Sequence, residues 1–83
     1  MKDVKVNAPV VQTFAEHLPQ PFIDEAENGT YYGWAPMGTD ESEAGWRIML
    51  EKKDGNVTKR LYAQGSMAFE FKWSERTNYS YSR

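Results

Sequence analysis

Aromatic residues at a spacing of two, interrupted by turn dipeptides, dominate residues 30–83 and constrain this chain more than any other feature. Trp46, Ile48 and Leu50 alternate with Arg47, Met49 and Glu51, the period of a strand with one face buried. Lys53-Asp54-Gly55-Asn56 then supplies the Asp-Gly pair that tight hairpin turns favour. Beyond it, Val57, Lys59, Leu61 and Ala63 share one face of a return strand, with Thr58, Arg60, Tyr62 and Gln64 on the other. Residues 46–63 therefore read as a hairpin. Gln64-Gly65-Ser66 marks another turn. Phe69, Phe71 and Trp73 next alternate with Glu70 and Lys72 as a strand, Ser74–Arg76 reads as a turn, and Tyr79 and Tyr81 form a terminal strand. Each large aromatic buries roughly 150–250 Å², so few of them fill a small core. Trp46, Ile48, Leu50, Leu61, Phe69, Phe71 and Trp73 are the expected core face, with Trp34, Tyr79 and Tyr81 nearer its margin, where their polar atoms find partners.

Upstream, Asn28-Gly29 is a turn signal between Phe22-Ile23, a short apolar anchor, and a strand over Thr30–Trp34. Residues 36–43 combine proline, glycine and hydroxyls with three acids, the composition of a solvated loop. Residues 1–21 differ in kind. Val4 and Val6 alternate like an edge strand, but Pro9 removes a ladder donor, and Pro19 and Pro21 stop the single helical turn allowed by Thr13, Phe14 and Leu18. The expected architecture is a single all-β domain, a small antiparallel β-sandwich or barrel over residues 22–83, with residues 1–21 as an extended N-terminal arm.

Eighty-three residues sit just above the size, roughly 70–80 residues, below which a single apolar core rarely suffices unaided, so there is room for extra stabilisation from a partner. With no cysteine and one histidine, disulfides and thiolate or histidine-rich metal sites are excluded. No stretch approaches the roughly 20 apolar residues of a membrane span, and Met1–Lys5 lacks the apolar run of a secretory signal. The Asn-X-Ser/Thr sequences at Asn28, Asn56 and Asn78 are accordingly read as turn residues followed by strand formers. The net charge of −2 conceals a dipole. Residues 1–43 carry two bases against eight acids, and residues 44–83 eight bases against four acids, which suits head-to-tail contact between copies or a partner with a charged face.

Catalytic signals are sparse. The acids at Asp24-Glu25-Glu27 and Asp40-Glu41-Glu43 lack the alternating-oxygen spacing of a calcium loop, and His17 has no nucleophile beside it. The glycines are spread at turn spacing rather than gathered in a phosphate loop. Lys52, Lys53, Lys59, Arg60, Lys72 and Arg76 lie among Tyr62, Phe69, Phe71 and Trp73, as on a sheet that stacks unpaired bases. The acidic first half argues against nucleic acid. The expectation is a chain without enzymatic activity, cofactor or metal.

Taken in order, Tyr31-Tyr32-Gly33-Trp34-Ala35-Pro36-Met37-Gly38-Thr39, Trp46-Arg47-Ile48, Tyr62-Ala63-Gln64-Gly65, and Phe69 with Trp73, Arg76 and Tyr79 resemble a module of small proteins from tailed bacteriophages. That module opens with Tyr-Ile-Gly-x-Ala-Pro-x-Gly, continues with Trp-x-Ile and a Trp-Ala-Asp/Asn-Gly-like turn, and closes with Phe-x-x-x-Trp-x-x-Arg-x-x-x-Tyr. The resemblance spans about residues 30–81 and departs at Tyr32, Tyr62 and Gln64. It implies a structural component of the virion, made in the host cytoplasm, that docks in symmetric copies on itself and on other virion proteins, without locating it on capsid, neck, tail or baseplate. The contact residues expected for that docking are Val4, Val6, Val10, Val11 and Phe14 of the arm and the bases Lys59, Arg60 and Lys72. The alternative is a carbohydrate-binding adhesion module, favoured if Tyr31, Tyr32 and Trp34 line an open groove.

Overall fold

A computed structural model describes residues 20–83. Five strands, β1 (Phe22–Ala26), β2 (Gly29–Trp34), β3 (Arg47–Asp54), β4 (Val57–Ala63) and β5 (Tyr81–Ser82), form one antiparallel sheet in the order β1-β2-β3-β4-β5. The small antiparallel all-β domain expected from the sequence is thus what forms. No helix among the described residues is long and apolar enough to cross a membrane. The expected arm, residues 1–21, lies outside the described residues up to Leu18-Pro19.

Both turns fall within one residue of the dipeptides expected to make them. Asn28 closes the β1–β2 hairpin, where Ala26 faces Gly29, and Gly55-Asn56 closes β3–β4, where Asp54 faces Val57. Gly55 sits at φ 66°, a conformation that costs other residues a steric clash. The register pairs Leu50 with Leu61 and Glu51 with Arg60, so the alternation of both strands is the one expected. Phe22-Ile23, in contrast, is the start of a full edge strand and not merely an anchor.

The segment after Ala63 departs from expectation. Residues 69–73 are no strand: Phe71 makes an isolated bridge to Trp46, with each backbone N–H donating to the other's carbonyl at 2.9 and 3.0 Å. A 3₁₀ helix, Trp73–Asn78, replaces the expected turn, and only Tyr81–Ser82 pairs as a terminal strand. The cause lies in residues 64–68. Gln64 and Gly65 both take positive φ, and Ser66 Oγ accepts from the Ala68 amide, bending the chain away from β4 before it can lay down a ladder. Phe69 is left 49% exposed, under the Arg47 guanidinium at 4.5 Å from its ring centroid. It is not a core residue.

The second layer of the core therefore comes from an irregular segment. Phe71 and Trp73, with half-buried Tyr79 and Tyr81, pack on Tyr31, Ala35, Trp46, Ile48, Leu50 and Ala63, while Leu61 is only half-buried. Gly33 makes this possible. A Cβ there would meet Trp73 Cε3 at 2.4 Å and Cζ3 at 2.6 Å, so the bare backbone is what lets the indole lie on the sheet. Arg76 fastens the cover: Nε donates to Asp24 Oδ2 at 3.0 Å, a terminal guanidinium nitrogen donates to the Trp73 carbonyl at 3.0 Å, and the guanidinium carbon lies 4.5 Å from the indole centroid. Tyr79 Oη accepts from the Lys72 amide, and Tyr81 Oη donates to the Arg76 carbonyl. The marginal tyrosines thus find the partners anticipated for them.

The acidic loop is exposed yet ordered by its own hydrogen bonds. Asp40 accepts from the amide and hydroxyl of Ser42, which hold its carboxyl below the usual range, and the Asp40 amide donates to Glu43. This arrangement presents the Asp40 carbonyl to Trp46 Nε1 at 2.9 Å, satisfying the buried indole.

Candidate docking face

Strand alternation sends the side chains of Ile23, Tyr32, Met49 and Tyr62 to the face opposite the core, and the register sets them side by side across four strands. On this face no described element forms a second layer. Ile23 is 57% exposed and Tyr32, Trp34 and Tyr62 are half-buried, whereas Met49, between the two tyrosines, is buried. Tyr32 and Trp34, two apart on β2, hold their rings within 15° of parallel with centroids 6.1 Å apart. The result is an apolar stripe flanked along β2 by an aromatic pair.

Charges frame the stripe on the side toward the hairpin turns. Tyr32 Oη donates to Glu51 Oε1 at 3.2 Å, and Arg60 Nε donates to Glu51 Oε2 at 3.0 Å. The Glu51 carboxylate raises the Tyr32 phenol above its ordinary pKa by accepting its proton in that bond. At the other margin, Arg47 Nε donates to the Met67 carbonyl at 2.7 Å and its guanidinium covers Phe69. An apolar centre with a polar, hydrogen-bonded rim is the anatomy of a protein-docking surface.

The residues expected at the site are only partly brought together. Val4, Val6, Val10, Val11 and Phe14 lie outside the described residues. Lys59 and Arg60 are neighbours on β4 with side chains on opposite faces, Lys59 paired with Asp54 at 2.9 Å and Arg60 with Glu51. Lys72 is exposed on the link between Phe71 and the 3₁₀ helix, away from either pair. Tyr31 does not join Tyr32 and Trp34: it is 3% exposed, in the core, with Asn28 Nδ2 donating to its hydroxyl. The sequence carries a signal for the stripe, since Tyr32, Met49 and Tyr62 all occupy positions one residue out of phase with the core.

Among the described residues, no group of three or more His, Asp or Glu is placed to hold a metal ion. The depressions on the surface are open to solvent; one of about 360 Å³, bounded by Glu27, Asn28, Thr30, Glu51, Lys53 and Thr58, carries mixed charge. Compared with known proteins, the chain matches no family model, no curated protein and no solved structure.

Proposed function

We propose that this chain is a non-enzymatic structural protein that works by docking, and, from the sequence resemblance over residues 30–81, that its setting is a bacteriophage particle. The observation that carries the docking is the stripe of Ile23, Tyr32, Met49 and Tyr62 on a sheet with one face built into a core and the other lacking a layer among the described residues. A domain this size gains stability by covering such a face. Residues 1–21, with Val4, Val6, Val10, Val11 and Phe14, belong to the same reading as an arm that reaches a neighbouring copy or another virion protein.

The test is incorporation. Replacing Trp34 and Tyr62 by Glu should leave the circular dichroism of the sheet unchanged and remove the protein from assembled particles; deletion of residues 1–12 should do the same if the arm docks. Variants that enter particles at full occupancy overturn the docking reading. The carbohydrate reading keeps one observation of its own, the near-parallel Tyr32–Trp34 pair, because paired aromatic faces beside Glu51 and Arg60 suit a sugar ring and its hydroxyls. Saturable binding to a glycan array, lost in Tyr32→Ala but not in Phe69→Ala, would favour it.

A further inference from the structure

The sheet ends in two edges of opposite charge. β1 carries Asp24 and Glu25, with Glu27 in the turn behind them, while β4 carries Lys59 and Arg60 beside Lys52 and Lys53 of β3. β5 covers only Tyr62 and Ala63 of β4, so residues 57–60 have an unpaired outer side among the described residues. A groove of about 690 Å³ runs along it, lined by Val57, Thr58, Lys59, Arg60, Leu61 and Arg83.

The backbone groups on the two edges match. The Gln64 amide donates to the Ser80 carbonyl, which fixes the even-numbered residues of β4 as those that bond on the β5 side. Thr58 and Arg60 therefore aim their N–H and C=O groups outward. Carrying that alternation through the β3–β4, β2–β3 and β1–β2 registers makes Ile23 and Glu25 the outward-bonding residues of β1. We propose that β1 of one copy adds antiparallel to the free stretch of β4 of a second copy, in line with β5, so that the sheet continues from molecule to molecule. The inference rests on the docking reading above and names its partner.

One register satisfies backbone, face and charge together. Ile23 opposite Arg60 and Glu25 opposite Thr58 are the hydrogen-bonded pairs; Asp24 opposite Lys59 and Ala26 opposite Val57 lie between them. Side chains of the stripe face then meet those of the stripe face, and core-side residues meet core-side residues. Asp24 engages Arg76 through Oδ2, which leaves Oδ1 for Lys59, and Glu25 sits diagonal to Arg60. Exposed Ile23 and Val57, at 57% and 55%, are covered in the contact.

Lysine and arginine on an edge ordinarily guard against unwanted pairing. Here they do so selectively. β4 against β4 sets a basic edge on a basic edge, and β1 against β1 an acidic edge on an acidic one, leaving the unlike pair. Such a contact is heterologous, and copies joined by it close into a ring or run on as a filament.

The absence of native cysteine gives a clean crosslinking test on the full chain. Ala26 and Val57 lie on strands three steps apart, about 14 Å across the sheet, too far for a disulfide within one molecule. On mild oxidation the double variant Ala26→Cys/Val57→Cys should give a ladder of multimers, while each single variant stays monomeric. No ladder, or a dimer from either single variant, overturns the pairing. Sedimentation velocity of the unmodified chain should show concentration-dependent association that Lys59→Glu/Arg60→Glu weakens by about tenfold or more with the fold intact. A wild-type monomer at every concentration, or an unchanged association constant in that variant, refutes the proposal. These readouts are independent of particle incorporation: a monomer that still enters virions sinks the edge pairing alone, and a multimer that never enters them sinks the virion reading alone.

Discussion

Replacing Gly33 by Ala tests how the core is closed. The residue is not at positive φ, so the backbone offers no objection to a side chain, and in a strand Ala is ordinarily favoured over Gly by about 0.5–1 kcal/mol. The obstacle is Trp73, whose Cε3 and Cζ3 lie 2.4 and 2.6 Å from the position a Cβ would take, with Trp46 Cε3 at 3.1 Å. Carbon atoms in contact prefer about 3.5–4.0 Å, so the indole has to retreat by about 1 Å, and Arg76, Phe22 and Trp46 around it lose contact. Overpacking of this kind costs about 1–3 kcal/mol, occasionally more. At the upper end of that range, and after the gain from Ala, the net loss should be about 2 kcal/mol, from a total that for this length is roughly 4–12 kcal/mol, and Tm should fall by about 8–16 °C. Urea melts followed by tryptophan fluorescence and by circular dichroism measure it. The decisive comparison is a double-mutant cycle: in a Trp73→Leu background, Gly33→Ala should be neutral or stabilising. A Gly33→Ala protein that melts within a few degrees of wild type, or a cost that persists without the indole, refutes the argument.

Truncating Trp46 to Ala removes a residue 3% exposed and its bond to the Asp40 carbonyl, and should cost about 3–5 kcal/mol in denaturant titration, whereas Phe69→Ala should cost well under half as much. Arg76→Ala should destabilise by about 1–3 kcal/mol, by loss of its bonds to Asp24 and the Trp73 carbonyl and of its stacking on the indole, and Lys should not restore it. Burial, reinforced by Tyr31 and Tyr79, raises the Tyr81 phenol above its ordinary value of about 10. The folded state holds that proton more tightly, so the associated stability is complete below pH 10 and drains away as pH rises beyond it. Thermal melts at graded pH should show this alkaline loss, and Tyr81→Phe should flatten it.

The parts of the fold that the sequence revealed are those governed by local rules. Asp54-Gly55 and Asn28-Gly29 announce their turns, and the alternation around Ile48 and Leu50 assigns their faces correctly. Phe69-Glu70-Phe71-Lys72-Trp73 shows why the same rule fails elsewhere. Alternation there reflects two anchors, Phe71 and Trp73, dropping into a sheet from a segment that is not itself a strand, and the turn at Gln64-Gly65 steers it off the ladder. Period two is shared by a strand and by an irregular chain pinned at every second residue. Arg76–Asp24, 52 residues apart in sequence, and the packing of Trp73 on Gly33 are tertiary facts with no local trace. For the docking face, each strand's outward residues were readable singly. That Tyr32, Met49 and Tyr62 form one row depends on registers that the aromatic pattern does not encode.

The cover of the core follows β1–β4 in the chain, which has a kinetic consequence. During synthesis β1–β4 emerge first, with Tyr31, Ile48 and Leu50 facing water, and only the later arrival of Phe71, Trp73 and Arg76 can seal them. The two hairpins are local and form on a microsecond scale, but closure of the long loop between Asp24 and Arg76 bears the entropy of distant contacts. A chain cut short between Ala63 and Phe71 would therefore leave a sheet that is hydrophobic on one face and aromatic on the other. Folding of this chain is gated by its tail, and the hazard of aggregation is concentrated in the interval before that tail arrives.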